Sequence, residues 1–556
     1  MLDRALRWGI LPSYHGWQGD VVETPQATAE AILAAMGAEN DRPPRVRRPK
    51  LPDEPCAAAP NRAWGWAIQL YALRSRDSWG IGDLADLRKF GRWSRRRGAS
   101  FILLNPLGAQ TPTLPYQPSP YYSSSRRFRN TLYLRIEEIE GAERCDKEIQ
   151  PLHAAAVKLN RERLIDYDQV FGLKTQALER IFEAAPTPQG LAAFVRRHGA
   201  ALRDFATFNA LAEVHGPAWR NWPTYLRHPR IDGIEPSRRR LGDRIAFHEW
   251  LQFHIDRQLA RASREIGVIT DVPIGFASDG FDAWRWQDLL APGMRVGAPP
   301  DEFFRDGQDW GLPAFNPWRL SGAHWEPFVD AIRSAAAHAA GVRLDHVMGL
   351  FRLFWIPDGM SATEGAYVRY PASPLLSLLA NESRRARAFI VGEDLGLVPP
   401  TMRKHLRRRG SLSYRLLWFE GSEPASWPRD AVAAVGTHDL PTVAGIWTRS
   451  EPEHRLHHLR EKLVNMTHLP DATSPVAVAV AAYTTLARGR PRIVLVSLED
   501  ALGVAERPNV PGTTTEFPNW RLALPVTRED IEAANGVNRI ADAMNAAGRS
   551  ANLSRA

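Results

Sequence analysis

Two stretches decide the fold: GVRLDHVMGL at residues 341–350 and FIVGEDLG at 389–396. Each opens with a short apolar run, as a strand does, and each sets an acid where the run ends. A helical pattern precedes both, WEPFVDAIRSAAAHAAG before the first and LLSLLANESRRARA before the second. Short apolar strand, long amphipathic helix, then strand again is the pattern of βα units feeding a parallel sheet.

Working outward, the same kind of run recurs as WAIQLYAL (66–73), FILLNPL (101–107), GVITDVPIGF (267–276), SYRLLWFE (413–420), AVAAVGTHDL (431–440) and RIVLVSLED (492–500). Two more helical patterns, LADLRKFGRWSRRRG and FHEWLQFHIDRQLARASREIG, precede the second and third strands in chain order. Eight such units predict a (β/α)₈ TIM barrel over residues 61–530, a size that suits 556 residues once insertions are allowed. Residues 1–60 read as a helical extension and linker: TPQATAEAILAAMG is a helix with a Thr cap and a Gly37 end, and DRPPRVRRPKLPDEP is a Pro-rich connection. Large insertions at about 108–240 and 277–322 are expected at the barrel mouth. The first is helical by periodicity, and the second has little regular pattern. Residues 531–556 read as a C-terminal helix and tail.

In a barrel of this kind, active residues gather at the C-terminal ends of the strands. Those ends carry Asp271 in TDVPIGF, Asp345 in RLDH, Glu393 in VGEDLG and Asp439 in GTHDL. One acid in such a place is more often a helix cap or half of an ion pair; four converging on one mouth point to chemistry. Paired carboxylates suit glycosidic bonds, one attacking the anomeric carbon while the other shuttles the proton. Arg343 lies two residues before Asp345 on the same strand face and is expected to keep it ionised, as a nucleophile requires. Glu393 has the longer reach and needs a raised pKa to act as an acid. His346 and His438 each adjoin one of these acids and together read as partners for sugar hydroxyls.

The motifs WAIQLYALRSRDSWGIGDL, SPYYSSSRRFRNTLYL, DVPIGFASDGFD, GAPPDEFFRDGQDWGLPAFNP, VRLDHVMGLFRLFWIP, VGEDLGLVPP, VGTHDLPT and NVPGTTTEFPNWR follow one another over about residues 60 to 525. In that order they resemble the 4-α-glucanotransferases called amylomaltases or disproportionating enzymes, and more closely the bacterial maltodextrin type. The resemblance implies Asp345 as nucleophile, Glu393 as general acid/base and Asp439 as stabiliser of the distorted sugar. It further implies that Tyr121, Asp271, Asp301, Trp310, Arg343, His346, His438 and Asn509 contact glucan, with Trp310 as a stacking platform. Trp520 reads as structural. The implied partners are α-1,4-glucans and glucose as acceptor, with no cofactor and no metal. The likeness weakens at the N-terminal end and around 448–475.

Composition narrows the alternatives. The 44% hydrophobic and 24% charged residues are ordinary for a globular enzyme. Two cysteines make neither a disulfide framework nor a zinc site, and no run approaches the length of a membrane span. The first residues, MLDRALRWGILPSYHGW, lack the apolar core of a signal peptide, so a cytoplasmic protein is expected. A net charge of +9 invites a nucleic-acid reading, but the arginines are scattered, and clusters such as Arg95–Arg97 and Arg238–Arg240 read as solvated helix ends. Nineteen Trp fit a protein that packs aromatic faces on sugar rings, although most Trp are core. The rival readings are an α-amylase-like hydrolase, which would share the acid triad, and a non-catalytic glucan-binding protein, which loss of one acid would have favoured.

Overall fold

The eight apolar runs become eight parallel strands: β1 (Ala63–Ile68), β2 (Phe101–Leu104), β3 (Gly267–Val272), β4 (Gly341–Leu344), β5 (Phe389–Gly392), β6 (Ser413–Leu416), β7 (Ala431–Ala434) and β8 (Ile493–Ser497). The structure is a computed structural model and describes residues 2–231, 233–301, 304–396, 398–450 and 457–550. The strands lie in the order β5-β4-β3-β2-β1-β8-β7-β6. The seam between β5 and β6 is closed by a parallel bridge from Val391 to Leu412, with Gly392 N donating to Leu412 O at 2.8 Å and Leu412 N to Ile390 O at 2.9 Å. This is the (β/α)₈ barrel that the sequence predicts.

Inward residues fill the barrel rather than line a pore. Phe101 and Phe389 meet edge to face near its floor, with centroids 5.4 Å apart. They fit because neighbouring strands carry glycine there: a Cβ on Gly341 would lie 2.6 Å from the Phe389 ring, and one on Gly267 2.7 Å from Phe101 Cδ1. The chain's last described turn docks near the start of β8. Buried Arg549 donates to the carbonyls of Ala487, Gly489 and Pro491 at 2.7, 2.8 and 2.9 Å. The outward faces of the strands pack on helices such as Leu84–Arg96, Gly242–Glu265, Glu326–Ala336 and Ala372–Ala386.

Residues between β2 and β3 supply the long helices Tyr167–Ala184 and Leu191–His215. The second inserted stretch corrects the expectation of irregular structure over 277–322. Leu290–Ala298 and Gln308–Phe315 are paired strands of a four-stranded antiparallel sheet completed by Arg352–Pro357 and Ala366–Arg369. The pattern is hidden because register shifts between Leu290 and Arg295 and between Val296 and Gly297 break the alternation, and because the remaining strands come from beyond β4.

The N-terminal extension is only partly helical. Helices Leu2–Arg7 and Gln26–Met36 flank a hairpin of Ser13–His15 with Val21–Glu23. Gly37 ends the second helix in the left-handed region at φ 66°, as expected. Thr24 does not cap it: Pro25 holds the cap position, and the Thr24 hydroxyl donates instead to Leu11 O. The Pro-rich stretch docks on the barrel, with Cys56 N donating to Arg409 O and Ala57 N to Ser383 Oγ. Among the described residues no helix is long and apolar enough to cross a membrane. The two arginine clusters do sit in the last turns of helices Leu84–Arg96 and Ile234–Arg240, though Arg238 is drawn inward by Asp204 and Glu235. Of residues 448–475, positions 451–456 lie outside the described residues, as do 551–556 of the tail.

Candidate active site

Strand alternation turns every second residue of β3 and β4 inward, and parallel register sets Arg343 beside Asp271. Arg343 Nη1 donates to both oxygens of Asp271, at 2.7 and 2.6 Å, and Nη2 lies 3.0 Å from Asp345 Oδ1. Tyr121, from the insertion after β2, donates its hydroxyl to Asp271 Oδ2 at 2.5 Å. Asp271 is buried and holds Arg343 and Tyr121 in place.

The chain then makes a strained turn. His346 sits at φ 44°, ψ 59°, a left-handed conformation that an L-residue adopts only at a cost of about 1–2 kcal/mol. The turn aims His346 N at Glu393 Oε2, 2.9 Å away, while Leu395 N donates to Oε1 at 2.7 Å. Glu393, just past β5, is thereby fixed beside the Asp345 turn. Its neighbour Asp394 is structural: it is buried, accepts Tyr414 N at 2.8 Å and pairs with Arg403 at 3.0 Å.

Asp439, past β7, is held through both oxygens. Asn509 Nδ2 donates to Oδ1 at 2.6 Å, and His438 Nε2 lies 3.2 Å from Oδ2. The backbone follows, since Asn509 N donates to His438 O at 3.1 Å. His438 is flanked by the rings of Tyr121 and Trp520, each with its centroid 5.1 Å away. Trp310 stands edge-on to His346 at 5.3 Å, on the strand Gln308–Phe315. Asp301 caps its own loop, its Oδ1 accepting Phe304 N at 2.7 Å, while residues 302 and 303 lie outside the described set. That loop approaches the 508–520 segment, where a Cβ on Gly512 would meet Phe304 at 3.3 Å.

Among the predicted contacts, the structure thus gathers Asp345, Glu393, Asp439, Tyr121, Asp271, Arg343, His346, His438, Asn509 and Trp310 at one end of the barrel, and puts Asp301 on a loop beside the 508–520 segment. Sequence reasoning missed Tyr414, whose ring lies 5.8 Å from the Arg343 guanidinium, and the contacts of Trp520. Most other Trp are core, among them Trp64, Trp66, Trp79 and Trp427.

The surroundings decide the charges. An apolar cavity of about 100 Å³, walled by Val272, Leu344, Val347 and Leu353, backs Asp345 and His346. A second, smaller chamber of about 50 Å³ has Gln69, Asn105, Asp271, Arg343, His438 and Glu499 among its lining residues. Burial is the largest influence on Asp345 and pushes its pKa up to about 7. Arg343 opposes it, while Asp271, Glu393 and Asp439 add to it. Arg343 does favour the ionised form of Asp345, as expected, but burial and the three carboxyls outweigh it, and the guanidinium is shared with Asp271. Burial raises Glu393 as well, against Arg343 and its two N–H donors. Both carboxyls are thus shifted the same way, toward the protonated form, by the loss of water around them. At Asp439 burial would also raise the pKa, but His438 and Asn509 outweigh it and keep the carboxyl below its usual range. For His438 burial works against the charged form, yet the adjoining Asp439 raises its pKa.

A stability consequence follows. A carboxyl with a folded pKa above its unfolded value binds its proton more tightly when folded, so it weakens the fold as pH climbs from about 4 and does so fully above the folded pKa. Asp345→Asn is expected to raise the melting temperature at about pH 8, with most of the gain gone at about pH 4.5. Calorimetry at the two pH values checks this, and an equal melting temperature for both proteins at pH 8 contradicts it.

Comparison with known proteins is decisive at this point. The family model described as 4-alpha-glucanotransferase matches residues 68–527, which takes in all eight strand ends and every residue of the carboxylate cluster. The chain belongs to the 4-alpha-glucanotransferase family. Its enzymatic activity is accordingly 4-alpha-glucanotransfer. The 4-alpha-glucanotransferase of Mycobacterium tuberculosis is 40% identical over 561 aligned positions, covering 89% of this chain and 76% of the relative. The Haemophilus influenzae 4-alpha-glucanotransferase is 31% identical, covering 86% and 78%. The crystal structure of amylomaltase from Corynebacterium glutamicum superposes with a TM-score of 0.85 at 25% identity, over 98% of this chain and 99% of that one. The amylomaltase of Streptococcus agalactiae, solved with acarbose, shares the fold at a TM-score of 0.76 and 20% identity, over 88% of this chain and 100% of that one.

Proposed function

We propose that this chain transfers a segment of an α-1,4-glucan to the 4-hydroxyl of a second glucan, or of glucose, with retention through a glycosyl-enzyme on Asp345. The observation that carries the reading is the adjacency of Asp345 and Glu393 on neighbouring strands, with one held by a guanidinium and the other by two N–H groups. In the first step Asp345 attacks C1, the C1–O4 bond breaks, and Glu393 gives its proton to the departing O4. In the second, Glu393 takes the proton of the acceptor 4-hydroxyl, that oxygen attacks C1, and the C1–Asp345 bond breaks. Glu393 ends the cycle with the proton count it began with. Asp439, kept ionised by His438, would bind ring hydroxyls as the oxocarbenium-like charge develops. Tyr121, His346, Asn509 and Asp301 would add polar contacts to glucan, and α-1,4-glucans are the expected partners.

Hydrolysis needs only that water replace the acceptor, so transfer depends on a bound and aligned acceptor. Effective molarities of oriented reactants reach on the order of 10⁵ M or more, ample against bulk water. Purified protein incubated with maltotriose alone tests the reading: longer maltodextrins plus glucose support it, and shorter sugars only would replace it with hydrolysis.

Trp310 is the side chain placed to bias that competition, half-buried beside His346. Trp310→Ala is expected to raise the ratio of hydrolysis to transfer several-fold, a difference of about 1 kcal/mol in acceptor contact. Glucose release and the product ladder, followed together with the melting temperature, check this. Both activities and the melting temperature falling in parallel would mean that Trp310 only holds its loop.

A further inference from the structure

Trp520 does more than fill the core. Its ring centroid lies 5.3 Å from that of Tyr121 and 5.1 Å from that of His438, and the Tyr121 and His438 rings are themselves 5.1 Å apart. The three side chains form one aromatic triangle. Two of its corners reach the site directly, Tyr121 on Asp271 and His438 against Asp439, and the third reaches it only through them.

The backbone of Trp520 is held just as deliberately. It sits at φ 62°, a left-handed conformation costly for an indole-bearing residue. Strain of this kind persists only where its surroundings over-determine it. Here they do: Trp520 N donates to Pro508 O at 3.0 Å, and Trp520 O accepts the Tyr167 hydroxyl at 2.7 Å. The first bond closes the neck of the 508–520 segment next to Asn509, whose side chain holds Asp439. The second ties the neck to the start of the inserted helix Tyr167–Ala184.

We infer that Trp520 is a positioning residue: it braces His438 and Tyr121, so that His438 stays against Asp439 and Tyr121 stays on Asp271. The idea rests on the proposed roles of these carboxylates, but its first readout does not depend on turnover. The groups facing His438 are Asp439, Arg343, Asp271, Glu499 and Tyr121. The neighbouring carboxylates favour the imidazolium, Arg343 opposes it, and an aromatic face within about 6 Å of a cation adds to the attraction. Removing the indole both withdraws that face and frees the ring to swing off Asp439.

The test uses the full chain in three variants, Trp520→Leu, Trp520→Phe and Tyr167→Phe, with histidine-labelled protein and His438→Asn to assign the resonance. In Trp520→Leu the His438 titration is expected to move toward its ordinary value, and kcat to fall on the order of 10²-fold with a smaller change in KM. Trp520→Phe should show the same shifts in weaker form. Tyr167→Phe, which leaves the indole in place, should lower kcat about five-fold, the worth of one hydrogen bond. If Trp520→Leu does not fold, the other two variants carry the test. Folded Trp520→Phe and Tyr167→Phe proteins with wild-type His438 titration and wild-type kcat, changed only in melting temperature, would overturn the inference. Failure of the wild type to elongate maltotriose would instead overturn the proposed reaction and leave the titration result standing.

Discussion

Asp345→Ala is expected to lower transfer from maltodextrin by on the order of 10⁴-fold or more, with no glycosyl-enzyme formed, because the variant lacks the proposed nucleophile. Glu393→Gln should fail as badly with maltodextrin for a different reason: the amide keeps the hydrogen-bonding shape but has no proton to give to O4. The two are separated by a donor whose leaving group needs little acid help. With an activated α-glucosyl fluoride, Glu393→Gln should regain the first step, and Asp345→Ala should not. Arg343 lies 3.0 Å from Asp345, while Glu393 is held by the N–H groups of His346 and Leu395, and this asymmetry supports the assignment of roles. Equal rescue of both variants by the fluoride would show that the roles are reversed or shared.

Arg343→Met is expected to have the second largest effect, on both rate and stability. Arg343 is buried, with Nη1 on both oxygens of Asp271 and Nη2 on Asp345, whose side chain keeps 21% of its surface exposed. Removing one partner of a buried pair costs about 3–5 kcal/mol, since the remaining charge is left without compensation. Loss of the guanidinium also removes the main force opposing the upward drift of Asp345. Asp345 would then bind its proton more tightly. Turnover at about pH 7 should fall on the order of 10³-fold, and the rising limb of kcat/KM against pH should move to higher pH. Arg343→Lys keeps the charge and loses the fork, so it should lose rate while moving the limb much less. A rising limb unchanged in Arg343→Met would contradict the electrostatic role.

The barrel and its carboxylates were legible because both follow from short-range rules. A strand of four to six residues between helices shows as an apolar run, and alternation then states which residues share a face, as with Arg343 and Asp345. The antiparallel sheet was not legible. Its strands Leu290–Ala298 and Arg352–Pro357 lie on either side of β4 in sequence, and glycines, prolines and register shifts disguise the first. The Thr24 cap failed for a local reason, since Pro25 already occupies the cap position and the hydroxyl has a better acceptor in Leu11. The ionisation of Asp345 was misjudged because one neighbouring arginine in sequence says nothing of the three carboxyls and the apolar cavity that the fold brings up to it. Nor does a Trp in the sequence disclose a left-handed backbone or a place between Tyr121 and His438.

The central claim is a covalent sugar on Asp345, and mass spectrometry of a trapped intermediate tests it most directly. Glu393→Gln treated with α-glucosyl fluoride forms the first bond and then lacks the base that would activate an acceptor. The account predicts one added glucosyl unit on the intact protein, located after proteolysis on the peptide containing Asp345 and absent from Asp345→Ala. An adduct on Glu393 or Asp439 in the corresponding acid-bearing proteins, or turnover of the fluoride with inverted product and no adduct at any time, would contradict it.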